Sequence, residues 1–212
     1  MLATDRADSR HHLVARSRRL NIATLAYNTL EGIIAISAGL AAGSVALVGF
    51  GIDSGIELGA SSAALWRLHA DADVARRAVV ERRSHRVIGA LFIILATYVA
   101  VDASTALWNR EAPRESPVGI VLAAASVLVM PLLARAKRRV GLALGSRALT
   151  AEAAQTALCT YLSAILLVGL GLNAWLGWWW ADPVAALAML PIIVREGVEG
   201  LRGAPPCCDD CG

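Results

Sequence analysis

Asp53 and Glu57 stand four residues apart inside an apolar run from Val45 to Leu65. In a helix that spacing stacks both carboxylates on one face. The run has the length and composition of a bilayer span. Carboxylates at such depth are costly and mark ion or proton pathways. Two like charges one turn apart repel unless a cation or protons lie between them. The pair therefore reads as half of a cation site. At ~1.5 Å rise per residue, Asp53 lies ~12 Å and Glu57 ~18 Å from the start of the run, bracketing its middle. Gly51, Gly55 and Gly59 repeat at the same interval. Gly51 is about 200° round the helix from Asp53. The series predicts a glycine face packed closely on a neighbour, with the acids turned to a polar interior.

A second set of donors lies in a later apolar run. Glu152, Gln155 and Cys159 follow one another at spacings of three and four and can share a helix face. A cysteine thiolate is a good soft ligand, whereas Gln155 offers only a weak oxygen, unusual for zinc. Glu152, nearer the end of the run, is expected as an entry carboxylate. The plainer readings are a small buried residue for Cys159 and an exposed helix-start acid for Glu152. Glu31, with Asn28 one turn away, and Asp102 are expected as accessory or proton-path groups. Asp182-Pro183 has the form of an N-terminal helix cap. The tail Cys207-Cys208-Asp209-Asp210-Cys211 concentrates thiols and carboxylates that favour soft or borderline cations such as Zn²⁺ or Cu⁺. The adjacent His11-His12 pair is a weaker metal signal.

These residues need a membrane scaffold. The chain has 212 residues and is 57% hydrophobic, too apolar for an ordinary soluble domain. The apolar residues form six blocks: Leu20–Ala42, Val45–Leu65, Val87–Trp108, Pro117–Leu133, Leu149–Leu176 and Pro183–Val198. Each is near the ~20 residues needed to cross the hydrocarbon, and the shorter fourth and sixth are accommodated by flanking residues or local thinning. Residues 1–19 carry mixed charge without an apolar core, so no signal peptide is expected. Of the 20 Lys and Arg, 18 fall in the segments on one side of this alternation, and only Arg110 and Arg114 on the other. The positive-inside rule then predicts an all-α integral membrane protein with six transmembrane helices and both termini cytoplasmic. The expected organisation is a basic cytoplasmic segment over 1–19, a six-helix domain over 20–201 and a cytoplasmic Cys/Asp-rich tail over 202–212. The net charge of +3 is then topological, and no nucleic-acid partner is implied. Five of the six tryptophans, Trp108, Trp175, Trp178, Trp179 and Trp180, gather at one set of span ends and Trp66 at the other, an interfacial pattern. Gly43-Ser44 makes the first turn tight, and the inner linkers Arg67–Arg86 and Arg135–Arg147 read as solvated and basic.

The run Ala42-Gly43-Ser44-Val45 through Asp53-Ser54-Gly55-Ile56-Glu57 resembles the second transmembrane helix of the cation diffusion facilitator (cation efflux) family. There a short Gly-Ser turn precedes a D-x-x-x-D or H-x-x-x-D metal pair, with Glu57 here replacing the second Asp. Thr150-Ala151-Glu152 through Leu167 and the Gly177-Trp178…Ala181-Asp182 corner are also similar. Matching Ala151-Glu152 to the family's Ala-Asp puts Gln155 and Cys159 at its second metal pair, in place of His and Asp; counting back from Gly177 gives Thr156 and Thr160. The resemblance implies a homodimer in the cell (plasma) membrane that exports divalent cations, often Zn²⁺, in exchange for protons, with no enzyme activity and no bound cofactor. The chain ends soon after the sixth block, so the expected member consists of the transmembrane domain without the family's C-terminal cytoplasmic domain. Two other readings remain: a metal-binding membrane sensor that does not transport, and an exporter of a small organic cation.

Overall fold

Every apolar block folds as a helix. The computed structural model describes residues 2–69, 74–144 and 147–202. Its six helices are α1 (Leu2–Ala42), α2 (Val45–His69), α3 (Val74–Asn109), α4 (Pro117–Leu144), α5 (Arg147–Leu176) and α6 (Ala181–Arg202). At the tryptophan-rich end the helix limits coincide with the apolar blocks: α2 starts at Val45, α4 at Pro117, and α5 stops at Leu176. At the basic end the helices run on. The expected solvated linkers are largely helix, because α3 begins at Val74 and α4 continues to Leu144. Those stretches are rich in Ala, Arg and Leu, strong helix formers that need no apolar surroundings. The basic segment 1–19 is likewise helical from Leu2 and continuous with the first block.

The turns at the tryptophan-rich end are sharply built. Gly43 (φ 70) and Gly177 (φ 64) take left-handed conformations just past α1 and α5, the usual glycine C-terminal stop. Ser44 Oγ accepts the Leu47 N–H at 3.1 Å, and Ser116 Oγ accepts the Gly119 N–H at 3.1 Å, capping α2 and α4. Asp182 does not serve only its own helix. Its buried carboxylate accepts a hydrogen bond from Ser44 Oγ and stands beside the backbone N–H groups of Val45 and Ala46. It thus caps the start of α2 from α6 and fixes the two helices together.

The contacts form a closed ring, α1–α2–α3–α6–α5–α4 and back to α1, with α2 also touching α5 and α6. Large apolar side chains are exposed on α1, α3, α4, α5 and α6, among them Leu30, Ile94, Val121, Val168 and Val184; among the described residues α2 has none. Polar side chains show the opposite trend: Asn28, Glu31, Asp53, Ser54, Glu57, Ser126 and Lys137 are all buried. Apolar outside and polar inside is the arrangement of a bundle solvated by lipid. Four segments, Leu13–Ala42, Arg86–Asn109, Pro117–Leu144 and Glu152–Leu176, are long and apolar enough to cross a membrane. The protein is therefore a multi-pass membrane protein. α2, which carries the two acids, and α6, which carries Asp182, Arg195, Glu196 and Glu199, are not among these four.

The glycine face of α2 is only partly as expected. A Cβ on Gly51 would come within 2.9 Å of the Ile36 backbone, so that glycine does admit α1. Gly55 and Gly59 would meet nothing within 4 Å. Among the described glycines, the closest approach to another helix's backbone is elsewhere, between α3 and α6, where a Cβ on Gly89 would stand 2.5 Å from Leu201 N. Trp108, Trp175, Trp178 and Trp180 are exposed, and the last two stack with centroids 5.0 Å apart. They are surface residues at helix ends and not core residues.

Candidate metal centre

Because α2 packs on α5 and α6 as well as on its ring neighbours α1 and α3, its acids are surrounded by protein. Asp53 and Glu57 are 3% and 7% exposed. Cys159, on α5, is fully buried against them, and its Sγ–H donates to Asp53 Oδ2 at 3.9 Å. One ligand atom from each of Asp53, Glu57 and Cys159 lies within 4.8 Å of the others. Among the described residues this is the only such grouping of His, Cys, Asp or Glu. Ligands of a tetrahedral ion at ~2.0–2.3 Å stand ~3.5 Å apart. A closure of about 1 Å would bring the three donors round one cation.

Gln155, one turn before Cys159 on α5, lines the same cleft as the trio. The alternative residues face other partners. Thr156 Oγ1 donates to the Glu152 carbonyl at 2.9 Å and accepts from Lys137 Nζ at 3.5 Å. Thr160 is not among the cleft residues. Of the two alignments open from the sequence, the fold thus brings the Gln155/Cys159 one to the acids.

Glu152 is not at the cleft. Its carboxylate lies 3.7 Å from Lys137 Nζ, whose side chain is only 2% exposed. Lys137 is a buried cation on α4 that sequence reading passed over, since it sits in the basic run Arg135–Arg139. Its ammonium also attracts Glu57. A second omission is Glu196 on α6, which lines the cleft with Asp53, Glu57, Gln155 and Cys159. The signal was present: Ile192, Ile193 and Glu196 share a helix face by their spacing.

Glu31 is buried beside the trio but held separately. It accepts hydrogen bonds from Ser54 Oγ at 2.9 Å and from Ser126 Oγ, and the Ser126 hydroxyl also meets Tyr27 OH at 2.9 Å. Asn28 Nδ2 donates to Glu57 Oε2 at 3.0 Å and so orients that carboxylate. Asp102 lies apart, on α3, accepting from the Tyr98 hydroxyl at 3.3 Å. The tail residues Cys207, Cys208, Asp209, Asp210 and Cys211, and the side chains of His11 and His12, lie outside the described residues.

Residues 82–204, more than half of the chain, match the family model described as the cation efflux transmembrane domain. Gln155, Cys159 and Glu196 fall inside the match. Asp53 and Glu57 precede it and join the site by geometry. No curated protein sequence matches the chain.

Proposed function

The chain belongs to the cation efflux family, a family of cation transporters and not of enzymes, and from that membership we propose that it exports a divalent cation, Zn²⁺ foremost, from the cytoplasm in exchange for protons. In this reading all six helices cross the plasma membrane with both termini cytoplasmic. The one-sided distribution of Lys and Arg supports that orientation. α2 and α6 cross despite their polar residues because Asp53, Glu57 and Asp182 face protein, and the exposed Arg195 and its partner Glu199 stand toward the basic end of α6.

The observation that carries the reading is the buried trio: two carboxylates from α2 and a thiol from α5, with donor atoms within 4.8 Å of one another. Asp53 and Glu57 supply negative charge, Cys159 supplies a soft donor and Gln155 a fourth, weaker one. Mixed oxygen and sulfur donors in a four-ligand set suit Zn²⁺ or Cd²⁺ better than Mg²⁺ or Ca²⁺. The spacing suits a bare ion and is too close for an organic cation. Binding requires deprotonated ligands, so metal and protons compete for the same atoms and one site can carry each in turn. Affinity then rises with pH and falls as the ligands take up protons. Asn28 keeps the Glu57 carboxylate aimed at the site through this cycle, and the Asp182 cap holds α2 in register with α6. Rocking of helix pairs about α2 would open the site to each side in turn.

Reconstituted vesicles loaded with a zinc-sensitive dye test the proposal. Wild-type protein should carry Zn²⁺ inward when an acidic vesicle interior drives protons out. An Asp53→Ala variant as active as wild type would remove this site from the mechanism.

A further inference from the structure

Glu152 is the acid that sequence order places at the entrance to the site, and the fold gives it another task. Its carboxylate is paired with Lys137, a cation held inside the bundle, and it does not line the cleft. Glu196 does. The cleft's three acids are Asp53, Glu57 and Glu196. The first two are buried, while Glu196 is only partly covered. It stands on α6, toward the end that carries the basic linkers, one turn beyond the cleft residues Ile192 and Ile193. It is close enough to Asp53 for the two carboxylates to repel. The neighbouring Arg195 is tied on the exposed side to Glu199 at 2.7 Å. Phe92, Leu162 and Ile193 give the same cleft an apolar lining. A charge at the mouth of a low-dielectric channel concentrates counter-ions and speeds their capture.

We infer that Glu196 is the capture carboxylate: it draws the divalent cation into the cleft and hands it to Asp53, Glu57 and Cys159. Glu196 is a positioning residue for entry and not a ligand of the final site. The inference rests on the metal-site reading above, and its test separates the two. Zn²⁺ association with the detergent-solubilised full chain is followed by stopped flow against a chelating dye, in the phase that Asp53→Ala abolishes. Glu196→Gln should slow association about five- to tenfold and leave dissociation within about twofold, because it removes steering without removing a ligand. Raising the salt should shrink that difference. Glu196→Asp should restore most of the rate, which a merely structural role would not predict. Glu152→Gln should leave association unchanged. Zn²⁺ binding that depends on Asp53 but associates equally fast in Glu196→Gln overturns this inference alone. So does a Glu152→Gln variant that is the slower of the two. Zn²⁺ binding indifferent to Asp53→Ala overturns the metal site, and this inference with it.

Discussion

Asn28→Ala removes a group that touches no metal in the proposed site, yet it should weaken metal binding strongly. Asn28 and Glu57 are 2% and 7% exposed, and their hydrogen bond is 3.0 Å long. A buried hydrogen bond to a charged group contributes ~1.5–3 kcal/mol. Truncation leaves the Glu57 carboxylate without that donor and free to turn from the position in which it faces Asp53 and Cys159. At ~1.4 kcal/mol per tenfold, the loss corresponds to about 10- to 100-fold in affinity, the range found when a partner of a metal ligand is deleted. The assay is Zn²⁺ titration of the purified protein in detergent with a competing chelator, with a thermal melt of the apo form alongside. The melt matters because Asn28 lies at the α1–α2 contact, and a folding defect would lower the fraction of competent protein without changing its affinity. Folded Asn28→Ala that binds Zn²⁺ within twofold of wild type would refute this role for Asn28.

Lys137→Met should strand the Glu152 carboxylate. Breaking a buried pair costs ~3–5 kcal/mol, and the lower end applies because the Glu152 side chain is 18% exposed; in thermal melts the double variant Lys137→Met/Glu152→Gln should recover most of the loss. Gly89→Val should cost at least ~1–3 kcal/mol as overpacking, since even a Cβ meets Leu201 N at 2.5 Å. Gly55→Val, at a position with nothing within 4 Å, should melt close to wild type. Cys159→Ser replaces a soft donor with a hard one, so competition assays should show Cd²⁺ losing more affinity than Mn²⁺.

Period and composition alone located every helix, and at the tryptophan-rich end they located the helix limits as well, because Gly43, Gly177 and Pro117 are local signals. The Asp53/Glu57 pair was legible for the same reason: its spacing needs no tertiary information. The α5 donors were not fixed to the residue. A shift of one position turns a helix by about 100°, and only the packing of α5 on α2 separates Cys159 from Thr160. Lys137 and Glu196 went unseen because each lies among other charges near a helix end, where a solvated face is the simplest reading. Glu152 looked like the entry acid for want of any sign in its own helix that α4 supplies it a buried cation. The reach of Asp182 from α6 to the start of α2 likewise depends on a contact between residues far apart in the chain. The glycine series read correctly as a place for close approach at Gly51 alone, since sequence does not say where the neighbouring helix ends its contact.

The most direct test is anomalous scattering at the zinc edge from the purified wild-type protein and from the Asp53→Ala/Glu57→Ala variant. The proposal predicts a peak among Asp53, Glu57 and Cys159 in the wild type and none there in the variant. A wild-type protein that binds zinc only at Cys207, Cys208 and Cys211, with no peak between α2 and α5, would contradict it.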